Sequence, residues 1–199
     1  MLPSKEEAEN MLFWARDKNP GIWIEHSKAV ARAASIIALK CNLDTDRAYV
    51  SGILHDIGYY SGYRSLFHVY SGYELLVSKG FNEVAEICLS HSFPCRRIEE
   101  FFGKNDCTEA EASVIQSYLS SSIYNDYDKL IQLCDAVGTS KGISTIDVRM
   151  MDVIRRHGFN DYSLEKIEAI YRLKAYFDML CGVDIYELFY DEICRNILM

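Results

Sequence analysis

The sequence predicts an all-α fold, a single-domain helical bundle, on three observations. Apolar residues recur at intervals of three and four along almost the whole chain, and no run alternates polar and apolar residues as a half-buried strand would. Only 3 of the 199 residues are proline and 49% are apolar, a composition typical of globular proteins. At this length one core buries about 70% of the surface that the unfolded chain exposes. We therefore expect one domain over residues 1–199.

The first helix has clear signals at both ends. Ser4 and Glu7 form a Ser-x-x-Glu capping box, and the helix runs to about Asn19, where Pro20-Gly21 ends it. A second helix is predicted over about residues 23–40 from its apolar spacing.

Turn residues also delimit the next three helices. A third helix begins near Asp44 or Thr45 and runs into the segment GILHDIGYYSG, residues 52–62. The stretch SLFHVYSGYELLVSKG predicts a fourth helix closed by Gly80, and NEVAEICLSHSF predicts a fifth stopped by Pro94.

The rest of the chain is predicted to be helical from the same apolar spacing. After one further turn at residues 96–102, helices are expected at about 107–121, 125–140, 145–157, 163–181 and 184–198. The segment from Gly158 to Asp161 is the best candidate for a joint, but it is too short to separate two domains.

Composition also limits the function and the location of the protein. The net charge of −8 disfavours a nucleic-acid polymer as partner, because such binding draws its affinity from Lys and Arg that neutralise phosphates. The N-terminal stretch lacks the long apolar run of a signal peptide or a membrane span, so we expect a cytoplasmic protein without membrane contact. Seven cysteines are scattered with no Cys-x-x-Cys pair, and we expect reduced, buried thiols.

Four of the five histidines occupy positions on the apolar stripes of their helices: His26, His55, His68 and His91. His26, for example, aligns with Val30, Ala33 and Ile37 at helical spacing. We therefore expect these four rings to point toward the core. The fifth, His157, precedes a glycine, where a positive residue favours a helix C-terminus, and we assign it a structural role.

Two aspartates share this inward placement. Asp135 lies on one helical face with Ile131 and Gly138, and Asp56 follows Gly52 and Ile53 in the same way. Buried imidazoles and carboxylates without partners are strongly destabilising, and a divalent cation satisfies both kinds of group. Imidazole and carboxylate without thiolate suit iron, manganese, cobalt, nickel or zinc. The sequence therefore predicts a site for a divalent transition metal.

These residues occur in the order of a known signature. His26, then His55-Asp56, then Asp135 resembles the H…HD…D pattern of the HD-domain superfamily of metal-dependent phosphohydrolases, and HDIG at 55–58 is the commonest spelling of its central motif. The resemblance covers about residues 22–140 and leaves a C-terminal helical extension at about 141–199.

The resemblance also implies how the ligands divide. His26, His55, Asp56 and Asp135 would hold one metal. Asp56 would also bridge to a second metal, held by His68 and His91 as in dinuclear members. Tyr59 stands where many members have lysine, and the paired histidine and GYP motif of enzymes that cleave cyclic-di-GMP are missing, so that activity is disfavoured.

The expected activity is hydrolysis of a phosphate ester or anhydride in a small molecule, with a nucleotide favoured. The metals would activate a water and neutralise phosphoryl charge, and we place His55 and Asp56 at the catalytic centre. Phosphate contacts are assigned to four cations near the motif residues: Arg64, Arg96, Arg97 and Lys141.

Two alternatives stay open. Some relatives are diiron oxygenases that cleave carbon–carbon or carbon–phosphorus bonds with the same ligand order, and the ligand set does not separate them from hydrolases. The site could instead be structural, in a non-catalytic metal-binding regulatory module. The Tyr- and Phe-rich C-terminal helices also leave a homodimer open, although packing on their own core is favoured.

Overall fold

Ten α-helices account for most of the described chain and confirm the all-α prediction. The computed structural model describes residues 1–197. Its helices are α1 Lys5–Lys18, α2 Trp23–Lys40, α3 Thr45–Leu54, α4 Phe67–Ser78, α5 Asn82–Ser90, α6 Glu109–Ser121, α7 Asp126–Val137, α8 Ile146–His157, α9 Ser163–Cys181 and α10 Tyr190–Ile197. Short 3-10 helices lie at Ile57–Ser61, Ile98–Glu100 and Ile185–Phe189. Across residues 1–197, each helix is too short or too polar to span a bilayer.

Helix starts follow from side-chain caps. The Ser4 hydroxyl accepts the Glu7 N–H while the Glu7 carboxylate accepts the Ser4 N–H, which confirms the predicted capping box. Thr108 caps α6 and Asn125 caps α7 in the same reciprocal way. Each such cap stabilises its helix by about 1 kcal/mol.

Two predicted helices are wrong at one end. The helix predicted to reach residue 140 stops at Val137, because the chain enters a hairpin of two-residue strands, β1 Gly138–Thr139 and β2 Gly142–Ile143. The helix predicted from residue 184 starts with a 3-10 segment, and α10 begins only at Tyr190. Its predicted last residue, 198, lies outside the described residues.

Helix α2 lies at the centre of the fold and packs on α3, α7 and α9. One core cluster joins α2 and α7 to the C-terminal helices through residues such as Ile37, Ile131 and Phe177. A second lies among α1 to α5 around Leu12 and Ile53, and a third packs between α4, α5 and α6. The centre of the molecule thus receives side chains from both halves of the chain.

Glycines allow the elements near residues 52–58 to approach closely. A Cβ at Gly52 would lie 2.6 Å from the Cα of Ala31 in α2, and a Cβ at Gly58 would lie 2.6 Å from the backbone nitrogen of Gly72 in α4. A Cβ at Gly58 would also collide with the carbonyl oxygen of His68. Backbone contact, possible only without a side chain, therefore holds this segment against α2 and α4.

The expectation of seven reduced thiols is wrong for two cysteines. Cys41 follows the last residue of α2 and Cys181 is the last residue of α9, and the two form a disulfide with their Cα atoms 4.7 Å apart. Because α9 packs against α2, residues 140 positions apart in sequence meet. The remaining cysteines are free thiols: Cys88, Cys95, Cys107, Cys134 and Cys194.

Candidate metal centre

Six side chains from five helical segments meet in one place near the middle of the molecule. They come from α2, the end of α3, α4, the end of α5, and α7. These are the six residues singled out from the sequence: His26, His55, Asp56, His68, His91 and Asp135. All but Asp135 are buried.

The six residues form two groups of three. In each group, one potential ligand atom per residue lies within 4.8 Å of the others. The first group is His26, His55 and Asp135, and the second is Asp56, His68 and His91. The structure therefore offers two neighbouring places where imidazole and carboxylate atoms converge.

Asp56 joins the two groups through its two carboxylate oxygens. Its Oδ2 lies 3.8 Å from Nε2 of His26 and 3.4 Å from Nε2 of His55. Its Oδ1 lies 3.2 Å from Nε2 of His68 and 3.5 Å from Nε2 of His91. One carboxylate thus faces both groups, as expected of a bridging ligand.

Backbone carbonyls orient three of the rings. The Nδ1 atoms of His55 and His91 lie 2.7 and 2.8 Å from the carbonyl oxygens three residues earlier in the chain, and His68 makes the same contact. Because a carbonyl only accepts, Nδ1 carries the hydrogen and the Nε2 lone pair points into the site. This arrangement is the one that metal-binding histidines use.

Nε2 of His55, which faces the metal-ligand groups, is a buried atom without a hydrogen-bond partner within the described protein. The ring of His55 is fully buried, and its Nε2 takes part in no hydrogen bond. An unpaired polar atom in the interior is costly, and a cation at this point would satisfy it. The number, type and orientation of the donors therefore fit divalent transition metals.

The imidazoles and carboxylates of the site shift one another's pKa values. Burial disfavours the charged imidazole, but the carboxylates of Asp56 and Asp135 outweigh it and raise the pKa of His55 to about 9. Burial also disfavours a charged Asp56, but His55, His68 and His91 hold the pKa of its carboxyl well below the usual range. Both carboxylates are therefore anionic, and a proton competes with a metal for the imidazole of His55. Burial instead lowers the pKa of His91.

A cavity opens above the metal-ligand groups. It has a volume of about 580 Å³ and is lined in part by His26, Asp56 and Tyr59. An adjoining cavity of about 120 Å³, called here the inner cavity, shares part of this lining and also reaches His68, His91 and Asp135. Aromatic rings form much of the remaining wall: Trp23, Tyr63, Phe101 and Phe102.

Only one of the four cations predicted to contact phosphate lines this cavity. Arg64 does so, although its Nε is 3.1 Å from Oδ2 of Asp106. The other three are placed elsewhere by the fold. Arg96 donates to the carbonyl of Ser122 and Arg97 pairs with Glu165, while Lys141 is exposed in the turn between β1 and β2.

The cavity instead receives cations from α8 and α9: Arg149, Arg156 and Lys166. Sequence reasoning missed all three. A signal did exist for Lys166, which lies at helical spacing with the buried residues Ala169 and Ile170. His157 ends α8, as its structural assignment predicts, but its ring also lines the cavity.

Comparison with known proteins gives one match. A family model for the HD domain matches residues 23–139, more than half of the chain. The six converging residues all lie within the match, whereas the three cations of α8 and α9 lie beyond it. No curated protein matches this chain, and no solved structure does.

Proposed function

Since this chain belongs to the HD-domain family, whose members are generally metal-dependent phosphohydrolases, we propose that it hydrolyses a phosphate ester or anhydride of a small molecule. A nucleotide is the favoured substrate. The observation that carries the proposal is the sharing of Asp56 between two groups of converging imidazole and carboxylate atoms.

The proposed metal ligands form two sets that share Asp56. His26, His55 and Asp135, with one oxygen of Asp56, would hold one divalent metal, and the other oxygen of Asp56 would act with His68 and His91 at a second. Bound metals of this kind supply a water of lowered pKa and neutralise charge on phosphoryl oxygens.

The protein's own groups orient the reactants. The carboxylates of Asp56 and Asp135 are anionic and face the cavity, so each can accept a hydrogen bond from a water that is about to attack. Carbonyl contacts hold the imidazoles in one tautomer, which fixes the donor positions before substrate arrives.

The cavity suits a molecule that combines an anionic group with an apolar or planar part. Cations of α8 and α9 lie on its lining, together with the aromatic rings of Trp23 and Tyr63. Aromatic rings stack on planar groups such as bases, which supports a nucleotide as the proposed substrate.

The decisive experiment begins with metal analysis of protein purified without chelator. The protein is then loaded with manganese or cobalt under anaerobic conditions and screened against nucleotides, dinucleoside polyphosphates and sugar phosphates. Release of phosphate that chelator abolishes, and that Asp56→Ala lacks, is the expected result. Oxygen consumption by the iron-loaded protein without phosphate release would instead establish the oxygenase alternative and overturn the proposal.

A further inference from the structure

We infer that α8 and α9 supply an anion-binding subsite, formed by Arg149 and Lys166, that holds the phosphoryl group of a phosphomonoester. The inference rests on the proposed function, from which it takes the reaction. It adds a substrate-binding site that lies outside the residues matched by the HD-domain model. Both residues line the inner cavity together with His91 and Asp135.

Lys166 is a buried cation whose hydrogen-bond partners are neutral backbone carbonyls. Its side chain enters the cavity wall with 7% of the residue exposed, and Nζ donates to the carbonyl oxygens of Ser92 at 2.7 Å and Glu100 at 3.4 Å. Among the described residues it forms no ion pair with a carboxylate. Because Ser92 follows His91, the ammonium lies beside the second metal-ligand group.

Burial of such an ammonium is costly unless an anion comes close to it. Two carbonyls and the ring face of Phe102, 4.8 Å from Nζ, satisfy its hydrogen-bonding needs only in part, because an ammonium has three N–H groups. Burial lowers the pKa of Lys166, and the nearby carboxyl groups of Glu100 and Asp135 oppose this shift without outweighing it. An anion in the adjoining cavity offsets this cost and keeps the ammonium charged.

Arg149 offers a second set of donors. Its Nε is buried and has no hydrogen-bond partner among the described residues. The nearest carboxylate, Asp152, is 3.4 Å from Nη1 of Arg149 but only 2.9 Å from Nη2 of Arg156. Arg156 also donates from Nε to the same oxygen at 3.1 Å. Asp152 is therefore engaged mainly by Arg156, and Arg149 keeps donors for a ligand.

The positive charges of Arg149 and Lys166, which have no carboxylate as their main partner, together match the two negative charges of one phosphate group. A guanidinium presents paired donors that fit phosphate oxygens, and an ammonium adds a compact charge. The additional phosphates of a di- or triphosphate would need cations other than Arg149 and Lys166. The subsite therefore favours a monoester, with the alcohol part toward the aromatic wall at Trp23 and Phe101.

The subsite is tested by titrating inorganic phosphate into the 199-residue chain in a calorimeter, both manganese-loaded and chelator-treated. Arg149→Gln and Lys166→Gln are compared with matched controls on the same helices, Arg155→Gln and Arg172→Gln, whose side chains are exposed. We expect each cavity variant to raise the Kd for phosphate at least about tenfold, because each removes a charge-assisted hydrogen bond. We expect the controls to match wild type and Arg149→Lys to recover part of the affinity.

The outcomes separate this inference from the proposed function. Phosphate affinity that is equal in Arg149→Gln and wild type, at equal metal content, overturns the subsite even if the protein hydrolyses phosphoesters. Affinity that depends on Arg149 supports the subsite even if no hydrolysis is found, in which case only the proposed function fails. If Lys166→Gln does not fold, Arg149→Gln decides the question alone.

Discussion

The ring of Tyr59 lies parallel to the imidazole of His68, with centroids 4.2 Å apart and planes inclined by 5°. Tyr59 belongs to the 3-10 helix that follows Asp56, so the segment that supplies the shared carboxylate also supports a ring of the second group. With Nδ1 held by the Ser65 carbonyl, the stacked tyrosine leaves the imidazole of His68 little freedom to turn.

Replacement of Tyr59 by alanine is expected to weaken metal binding at the second group about tenfold, which is the usual cost of losing a contact that orients a ligand. Tyr59→Phe keeps the ring and should bind metal like the wild type. Competition with a chromogenic chelator measures both affinities. If the phenylalanine variant is as weak as the alanine variant, the hydroxyl and not the stacking is responsible.

Removal of the Asp56 carboxylate should empty both metal positions, because its two oxygens face different groups. His91→Ala should lose the metal of the second group and retain that of the first. Metal content per chain, measured by mass spectrometry after dialysis, distinguishes the two results. Full metal content in Asp56→Ala would contradict the shared-ligand arrangement.

A methyl group at Gly58 should destabilise the protein far more than one at Gly72. At Gly58 the new Cβ meets backbone of α4, including the nitrogen of Gly72 at 2.6 Å, whereas at Gly72 the nearest atom is the Cys88 sulfur at 3.1 Å. We expect the free energy of unfolding to fall by about 3 kcal/mol in Gly58→Ala and about 1 kcal/mol in Gly72→Ala. Urea denaturation measures both, and equal losses would argue against the close backbone contact.

The buried carboxyl of Glu100 should make stability depend on pH. Burial raises the pKa of this group, so the folded protein holds a proton that the unfolded chain releases above about pH 4.5. Stability attributable to Glu100 is therefore greatest below that pH and declines as pH rises through the folded-state pKa.

Glu100→Gln removes this titration but keeps an oxygen for the N–H groups of Cys95 and Arg97. We expect its Tm to exceed that of wild type by a few degrees at pH 7, and the difference to shrink as pH falls toward 4.5. Thermal melts across this range check the trend. A difference that stays constant with pH would show that Glu100 does not titrate in this way.

Local signals were sufficient for most of the fold. Helices α2 and α9 begin and end at the predicted residues because apolar spacing and nearby turn residues agree at both ends. The hairpin at Gly138–Ile143 escaped prediction because two-residue strands are too short to show any period.

The six side chains could be predicted to point inward from their places on the apolar stripes, and the resemblance to the H…HD…D signature implied that they meet, as they do. The lining of the cavity was not, since it depends on how α8 and α9 fold back over the centre. Arg97 lies near His91 in sequence but turns toward Glu165, whereas Lys166 is 75 positions from His91 and shares its cavity. The Cys41–Cys181 pair depends on the same long-range packing.

The Cys41–Cys181 disulfide links α9 to the end of α2, and the two helices contribute different kinds of residue to the cavity. Helix α2 carries His26, inside the family match, and α9 carries Lys166, outside it. Under the proposed function, metal binding and substrate binding therefore belong to separate stretches of chain. On that proposal, a homologue that keeps the six converging residues but differs in α8 and α9 is expected to bind the same metals and accept a different molecule. Differences in substrate among relatives of this protein should therefore be sought in these two helices.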